Sequence, residues 1–369
     1  MAVEFPPETE EDERHRSEVA TLPLDDEAER QANDLYEQGL MAHMMGQRYA
    51  QASEALERAL VLYRTLSDQQ GEANTLHYLG RVRAATGDFA EAIELQEQAL
   101  TLYRILGDQR GEANTLDHLG RDHYMTDDFR AAGNLQEQAL TLYRILGDQG
   151  GEANTLQYLG RVRAATGNLD QAIEALEEAL ALHRALDNGP GEAKTLIDLG
   201  SFRAATGNFD QAIELQEQAL TLYRPLGDRH GQANALHSLG DVHFQTQEYG
   251  RAATMLEEAL TLYRALGDRY GQANALHSLG NVHFQTQEYG RAATMLEEAL
   301  TLYRALGDQY GQANALGVLG HISAATGSEH QAIDLLEEAL TLYRALDDRH
   351  GQEAILDVLN RIRAPRNWE

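Results

Sequence analysis

Small and apolar residues recur along this chain in two alternating helical rhythms. In "EANTLHYLGRVRAATG", residues 72–87, Leu76, Leu79 and Gly80 fall three and four apart, as on a buried helix face. In "FAEAIELQEQALTLYRILGD", residues 89–108, Phe89, Ala92, Ile93, Ala99, Leu100 and Leu102 do the same. Each pattern predicts a helix of roughly 15 to 18 residues, about 25 Å long. Between the two, "TGD", "TGN" or "TQE" makes the turn. Asp88 with Glu91, Asn168 with Gln171, and Asn208 with Gln211 fit capping boxes there. The second turn, "LGDQRG" and its variants, shows no hydrophobic staple.

The alternation has a fixed period. Leu-Gly stands at Leu79-Gly80, Leu119-Gly120, Leu159-Gly160, Leu199-Gly200, Leu239-Gly240, Leu279-Gly280 and Leu319-Gly320, a spacing of 40 residues without drift. This is the signature of a repeat array. An earlier copy carries Gly39, and a last one carries Leu359-Asn360. Gly80 and its counterparts, like Ala92 and Ala99, are small where two helices must approach closely.

These motifs resemble the tetratricopeptide repeat. Leu-Gly in the first helix, the turn Gly87 to Phe89, Ala92 and the pair Ala99-Leu100 match that family in order and spacing. The 40-residue unit is similar to the Pins and kinesin-light-chain type and to arrays in bacterial regulators. The resemblance implies an all-α fold: a right-handed superhelical α-solenoid of about eight helix pairs with a C-terminal capping helix. It divides the chain into an acidic arm over 1–26, eight repeats over 27–350, a capping helix over 351–363 and a tail over 364–369. The chain departs from the family at the third residue after the glycine. That position, usually aromatic, holds Arg83, His123, Arg163, Arg203, His243, His283 and Ser323.

The resemblance further implies that the first helices line a concave groove holding a peptide segment of a partner. On a helical wheel Asn74, His77, Arg81 and Ala84 form a stripe about 100° from Leu76, Leu79 and Gly80. Copy by copy, that face assembles the candidate site. Asn74, Asn114, Asn154, Asn234, Asn274 and Asn314 form one column, with Asn33 in the first repeat and Lys194 as the exception. Such amides would bond the backbone of an extended peptide, or else the preceding inter-repeat turn. The residue after the glycine changes from Arg81, Arg121 and Arg161 to Ser201, Asp241, Asn281 and His321. The three arginines suit carboxylates or phosphates, and the competing reading pairs them with Asp117, Asp122 or nearby glutamates. Phe244 and Phe284 would make an apolar shelf or pack between helices, and Tyr124 stands at the same position as a further groove residue. His77, His237 and His277 complete the set; His237 with Asp241 has metal-compatible spacing, but no metal site is assigned, since repeated histidines follow from repeat copying.

Composition narrows the class. A net charge of -29 opposes a nucleic-acid or anionic-membrane surface. No run of about 18 apolar residues occurs, and the acidic start "MAVEFPPETEEDERHR" is unlike a secretory signal, so a cytoplasmic location is expected. The chain has no cysteine and one lysine, Lys194; its arginine-rich composition suits a bacterial source. No P-loop, H-E-x-x-H, nucleophile elbow or Rossmann fingerprint is present, and like groups run along a line instead of converging. The expectation is a non-enzymatic, cofactor-free adaptor or regulatory module with a protein or peptide partner bearing an acidic segment. The alternative is a scaffold forming homo-oligomers by repeat stacking or arm exchange. The acidic arm, with Glu8, Glu10, Glu11, Asp12 and Glu13, is expected to be flexible or to dock on the arginine strip.

Overall fold

The computed structural model describes residues 24–45 and 48–364. Residues 1–23 and 365–369, and with them the arm's docking on the arginines, lie outside the described residues. The chain divides into two compact units, residues 1–168 and 169–369.

The N-terminal unit contains α1 (Leu24–Met44), α2 (Tyr49–Leu66), α3 (Gln69–Ala85), α4 (Phe89–Leu106), α5 (Gln109–Met125), α6 (Phe129–Leu146) and α7 (Gln149–Ala165). The C-terminal unit contains α8 (Leu169–Ala185), α9 (Gly189–Ala205), α10 (Phe209–Leu226), α11 (Arg229–Gln245), α12 (Tyr249–Leu266), α13 (Arg269–Gln285), α14 (Tyr289–Leu306), α15 (Gln309–Ala325), α16 (Glu329–Ala345) and α17 (Arg349–Arg363). In chain order these make eight helix pairs and a final single helix, the α-solenoid arrangement expected from the repeat. Among the described residues there is no strand, and no helix is long and apolar enough to cross a membrane.

The two turns are built differently. Within a repeat, Gly87 takes φ +85° and the Asp88 carboxylate accepts the Glu91 backbone N–H at 3.2 Å. Asn208 does not complete the expected capping box; its amide instead donates to Thr206 Oγ1 at 2.9 Å. Between repeats, Gly107 closes α4 in the left-handed conformation and Asp108 opens α5 by accepting the Gly111 N–H at 2.9 Å. A two-residue link of αL glycine and N-cap aspartate thus replaces a hydrophobic staple.

Gly111 has a second role. A Cβ there would stand 2.4 Å from Cδ1 of Tyr103, a ring 4% exposed. The same fit joins Tyr63 to Gly71 and Tyr143 to Gly151 in the N-terminal unit. In the C-terminal unit it joins Tyr223 to Gly231, Tyr263 to Gly271, Tyr303 to Gly311 and Tyr343 to Gly351, while His183 replaces the tyrosine above Gly191. Each joint therefore seats a second-helix ring on the bare backbone of the next first helix.

Inside each repeat the first helix crosses the second at the Leu-Gly step. Leu76 and Leu79 are buried, and a Cβ on Gly80 would meet Gln96 Cγ at 2.7 Å. The same niche holds Leu256 under Gly240, Leu296 under Gly280 and Leu336 under Gly320, but Gln216 under Gly200. Gln216 is fully buried; its Nε2 only reaches Ile197 O at 3.4 Å and Ser201 Oγ at 3.5 Å, and its Oε1 has no partner. Gln216→Leu is expected to stabilise the protein by about 1–2 kcal/mol, read as a higher urea midpoint. A lower midpoint would mean that the amide is needed.

At the family's aromatic position Arg83 and Arg203 form ionic cross-links. Arg83 donates to Ser53 Oγ at 2.7 Å and Glu57 at 2.6 Å on α2, and contacts Glu91 on α4 at 2.7 Å. Arg203 pairs with Glu177, and His243 and His283 face Glu248 and Glu288 at 3.4 and 3.6 Å. At Arg83 and Arg203 the departure from the family pattern thus exchanges ring packing for partly exposed ion pairs.

Candidate functional site

Within each unit, successive first helices touch one another, while among the described residues successive second helices do not. Each unit therefore curves toward its first helices, which places the candidate residues on an inner face.

The asparagine column is engaged within the protein. In the N-terminal unit Tyr63, Tyr103 and Tyr143 donate their hydroxyls to Oδ1 of Asn33, Asn74 and Asn114 at 2.7, 2.8 and 2.8 Å. In the C-terminal unit Tyr263, Tyr303 and Tyr343 do the same to Asn234, Asn274 and Asn314 at 2.7, 2.8 and 2.6 Å. Each of these Oδ1 atoms thus has a partner on the second helix of its own repeat. Asn154 holds the equivalent place on α7, in the repeat that carries His183 instead of tyrosine. A tyrosine recurring with its glycine and asparagine every 40 residues was the available sign of this arrangement.

The histidines are mostly interior. His77 is 5% exposed and its Nδ1 meets Thr115 Oγ1 at 2.9 Å, which links α3 to α5. Burial pushes its imidazole down to about 3, with Arg81 adding to the effect. Burial also lowers His118, well below its ordinary value, and His43, so His77 and His118 are neutral at neutral pH. In the C-terminal unit His237 Nε2 lies 3.3 Å from Ser278 Oγ, and Ser278 donates to Asp241 at 3.0 Å. His277 is pushed down to about 4 by burial, then by His237.

The aromatic residues pack on the helix that follows them. Tyr124 meets Phe129, Phe244 meets Tyr249 and Phe284 meets Tyr289 at ring separations of 5.5, 5.7 and 6.0 Å. Each is half-buried. Phe284 also stands 6.3 Å from the ring of His321, whose pKa is lowered by burial and by Arg361. Asn281 is half-buried beside Gly280. His237 and Asp241 approach to 3.6 Å, but among the described residues no three His, Asp or Glu side chains gather as a metal would require.

The arginines form the most distinctive feature. Arg81 lies with Cζ 5.0 Å from the Tyr78 ring centroid. Arg121 and Arg161 lie 4.2 and 5.3 Å from the ring of Tyr158. Stacking holds the flat face of each guanidinium and leaves its N–H edges to point elsewhere. Arg121 spends an edge internally, donating from Nη2 to Asp117 Oδ2 at 2.6 Å. Asp117 is 4% exposed and also accepts from Thr155 at 3.4 Å; burial pushes its carboxyl up while Arg121 pulls it down. Asp122 bonds Gln96 instead of an arginine, at 2.8 Å. Tyr78 and Tyr158 were not among the residues singled out from sequence, although they lie three before Arg81 and Arg161, one helical turn away.

Comparison with known proteins agrees with this architecture. The sequence profile of the tetratricopeptide repeat matches residues 31–105, 71–145, 111–185, 151–224, 191–265 and 271–345, and a second profile of the same description matches 237–304. No curated protein matches the chain by sequence. Among solved structures, the apo form of the quorum sensor NprR from B. thuringiensis superposes with TM-score 0.68 at 14% identity, covering 90% of this chain and 92% of that one. A Rap protein complexed with Competence and Sporulation Factor gives TM-score 0.61 at 14% identity, covering 92% and 98%. A signal transduction ATPase with numerous domains and a tetratricopeptide repeat sensor, from Pyrococcus horikoshii, gives TM-score 0.64 at 14% identity. The match covers 94% of this chain but spans only 56% of that protein.

Proposed function

We propose a binding function from one premise: the chain belongs to the tetratricopeptide repeat family. The inner face of its N-terminal unit binds an extended peptide segment of another protein, and the chain acts as an adaptor or regulatory module. The supporting observation is the row of Arg81, Arg121 and Arg161 at the same position of three successive first helices, each laid on a tyrosine ring. In a chain of net charge -29, such a row selects acidic side chains and repels basic ones. Comparable folds support the reading only at the level of the scaffold, since the Rap protein complexed with its factor shares 14% identity. End-to-end stacking as a scaffold is less favoured. Arg30 stands on α1 where Gly71 and Gly111 admit the tyrosine of a preceding repeat, so the first repeat lacks the seat for another.

The test is a peptide array probed with the purified chain and with a triple variant, Arg81→Glu, Arg121→Glu and Arg161→Glu. Wild type should retain peptides rich in Asp and Glu, and the variant should lose them by at least about tenfold, as expected when charge-assisted contacts turn repulsive. Equal retention by both proteins would remove the inner face as the binding surface.

A further inference from the structure

The three arginines are chemically unequal. One edge of Arg121 is taken from within by Asp117, which lies one turn earlier on the same helix and is almost wholly buried. The corresponding positions hold His77 and Gln157 in the flanking repeats and Ile197, His237, His277 and Gly317 in the C-terminal unit, none of them a carboxylate. Arg81, stacked on Tyr78, has no carboxylate within ion-pair reach among the described residues, and the imidazoles about it are neutral. Asp117 therefore answers no general need of the repeat. It presents to one guanidinium the same group that an acidic ligand would present.

We propose that Asp117 is a built-in competitor: it occupies the Arg121 guanidinium, withholds it from acidic ligands and leaves Arg81 as the open carboxylate-reading position. This rests on the peptide-binding reading above. Asp117 thus determines specificity, because it sets which rungs of the arginine row a run of acidic residues can engage. Two carboxylates cannot share one guanidinium edge without mutual repulsion, so a ligand reaches that edge of Arg121 only by displacing a buried partner held also by Thr155. Removing the charge while keeping the shape, with Asp117→Asn, frees the rung. Asp117→Gln, the residue of the next repeat at Gln157, is the second variant should the first fold poorly.

Two readouts on the full chain test this. The first needs no ligand: phenylglyoxal modification followed by peptide mass mapping. Arg81 should react several times faster than Arg121 in the wild type, and the gap should close in Asp117→Asn. The second is titration with hexaglutamate at low salt, where Asp117→Asn should bind about tenfold more tightly than wild type and Arg81→Glu more weakly. Equal phenylglyoxal rates at Arg81 and Arg121 in the wild type would overturn the proposal whatever the ligand. Unchanged hexaglutamate affinity in Asp117→Asn, with binding still weakened by Arg81→Glu, would overturn it and leave the peptide-binding reading intact. Failure of wild type and Asp117→Asn alike to bind hexaglutamate would overturn both.

Discussion

Gly271→Ala should destabilise the protein by about 2–3 kcal/mol, although the same exchange inside a helix ordinarily stabilises by about 0.5–1 kcal/mol. The new methyl would stand 2.3 Å from Cδ1 of Tyr263 and 2.7 Å from Asp268 Oδ2. Tyr263 is 3% exposed and bound at its hydroxyl to Asn234, so the ring cannot retreat without opening the joint between α12 and α13. Gly133→Ala is the internal control. It lies within α6, where a Cβ meets only Val162 Cγ1 at an ordinary 3.5 Å, and other repeats carry Ile93 or Ile213 at that place. That substitution should stabilise by about 0.5–1 kcal/mol. Urea denaturation of the two variants should move the midpoint in opposite directions; movement in the same direction would mean that the tyrosine joint is not rigid.

The second large effect is a pH dependence carried by Asp122. This residue stands where other repeats place Val82, Val162, Val242 and Val282, and it is 5% exposed. Burial pushes its carboxyl from 3.8 up to about 7, against the pull of Gln96 and Arg121, with Asp117 adding to the rise. The unfolded chain releases this proton near 3.8 and the folded chain near 7. Between those values folding takes up a proton, so stability falls as pH rises through the window and levels off above about 7. Asp122→Asn keeps an acceptor for Gln96 and removes the titration. Wild type and variant should match at pH 4, and the variant should lead by up to about 4 kcal/mol at pH 8. A gap that does not change with pH would sink the assignment.

The fold was largely legible because burial in this array repeats with the sequence. Leu79, Gly80, Ala92 and Ala99 mark the crossing of each helix pair, and their 40-residue spacing counts the pairs directly. The inner face was less legible because its contacts span distant residues. Asn74 is a polar residue on the correct side of a wheel, yet its acceptor is claimed by Tyr103, 29 residues onward. His77 lies well off the leucine stripe, but α5 closes over it, so one helix considered alone exposes what two helices bury. The alternatives left open for the arginines divide by residue: Arg121 pairs with Asp117 as the internal reading had it, and Arg81 has no carboxylate partner among the described residues. The capping box at Asn208 does not form, and the only bond of that side chain among the described residues is the one its Nδ2 donates to Thr206 Oγ1.

The tyrosine-on-glycine joint also bears on how such a chain changes over generations. Residues 229–268 and 269–308 differ only at His230 against Tyr270 and Asp241 against Asn281; neither is the tyrosine, glycine or asparagine of the joint, although the His230 ring stands 6.2 Å from that of Tyr263. Unequal crossing-over between the two gene segments would delete or duplicate 40 residues and still seat a tyrosine on a glycine at every junction. The C-terminal unit can therefore vary in length by whole repeats without passing through an unfoldable ancestor. Reach is then a trait on which selection acts separately from the residues that line the inner face.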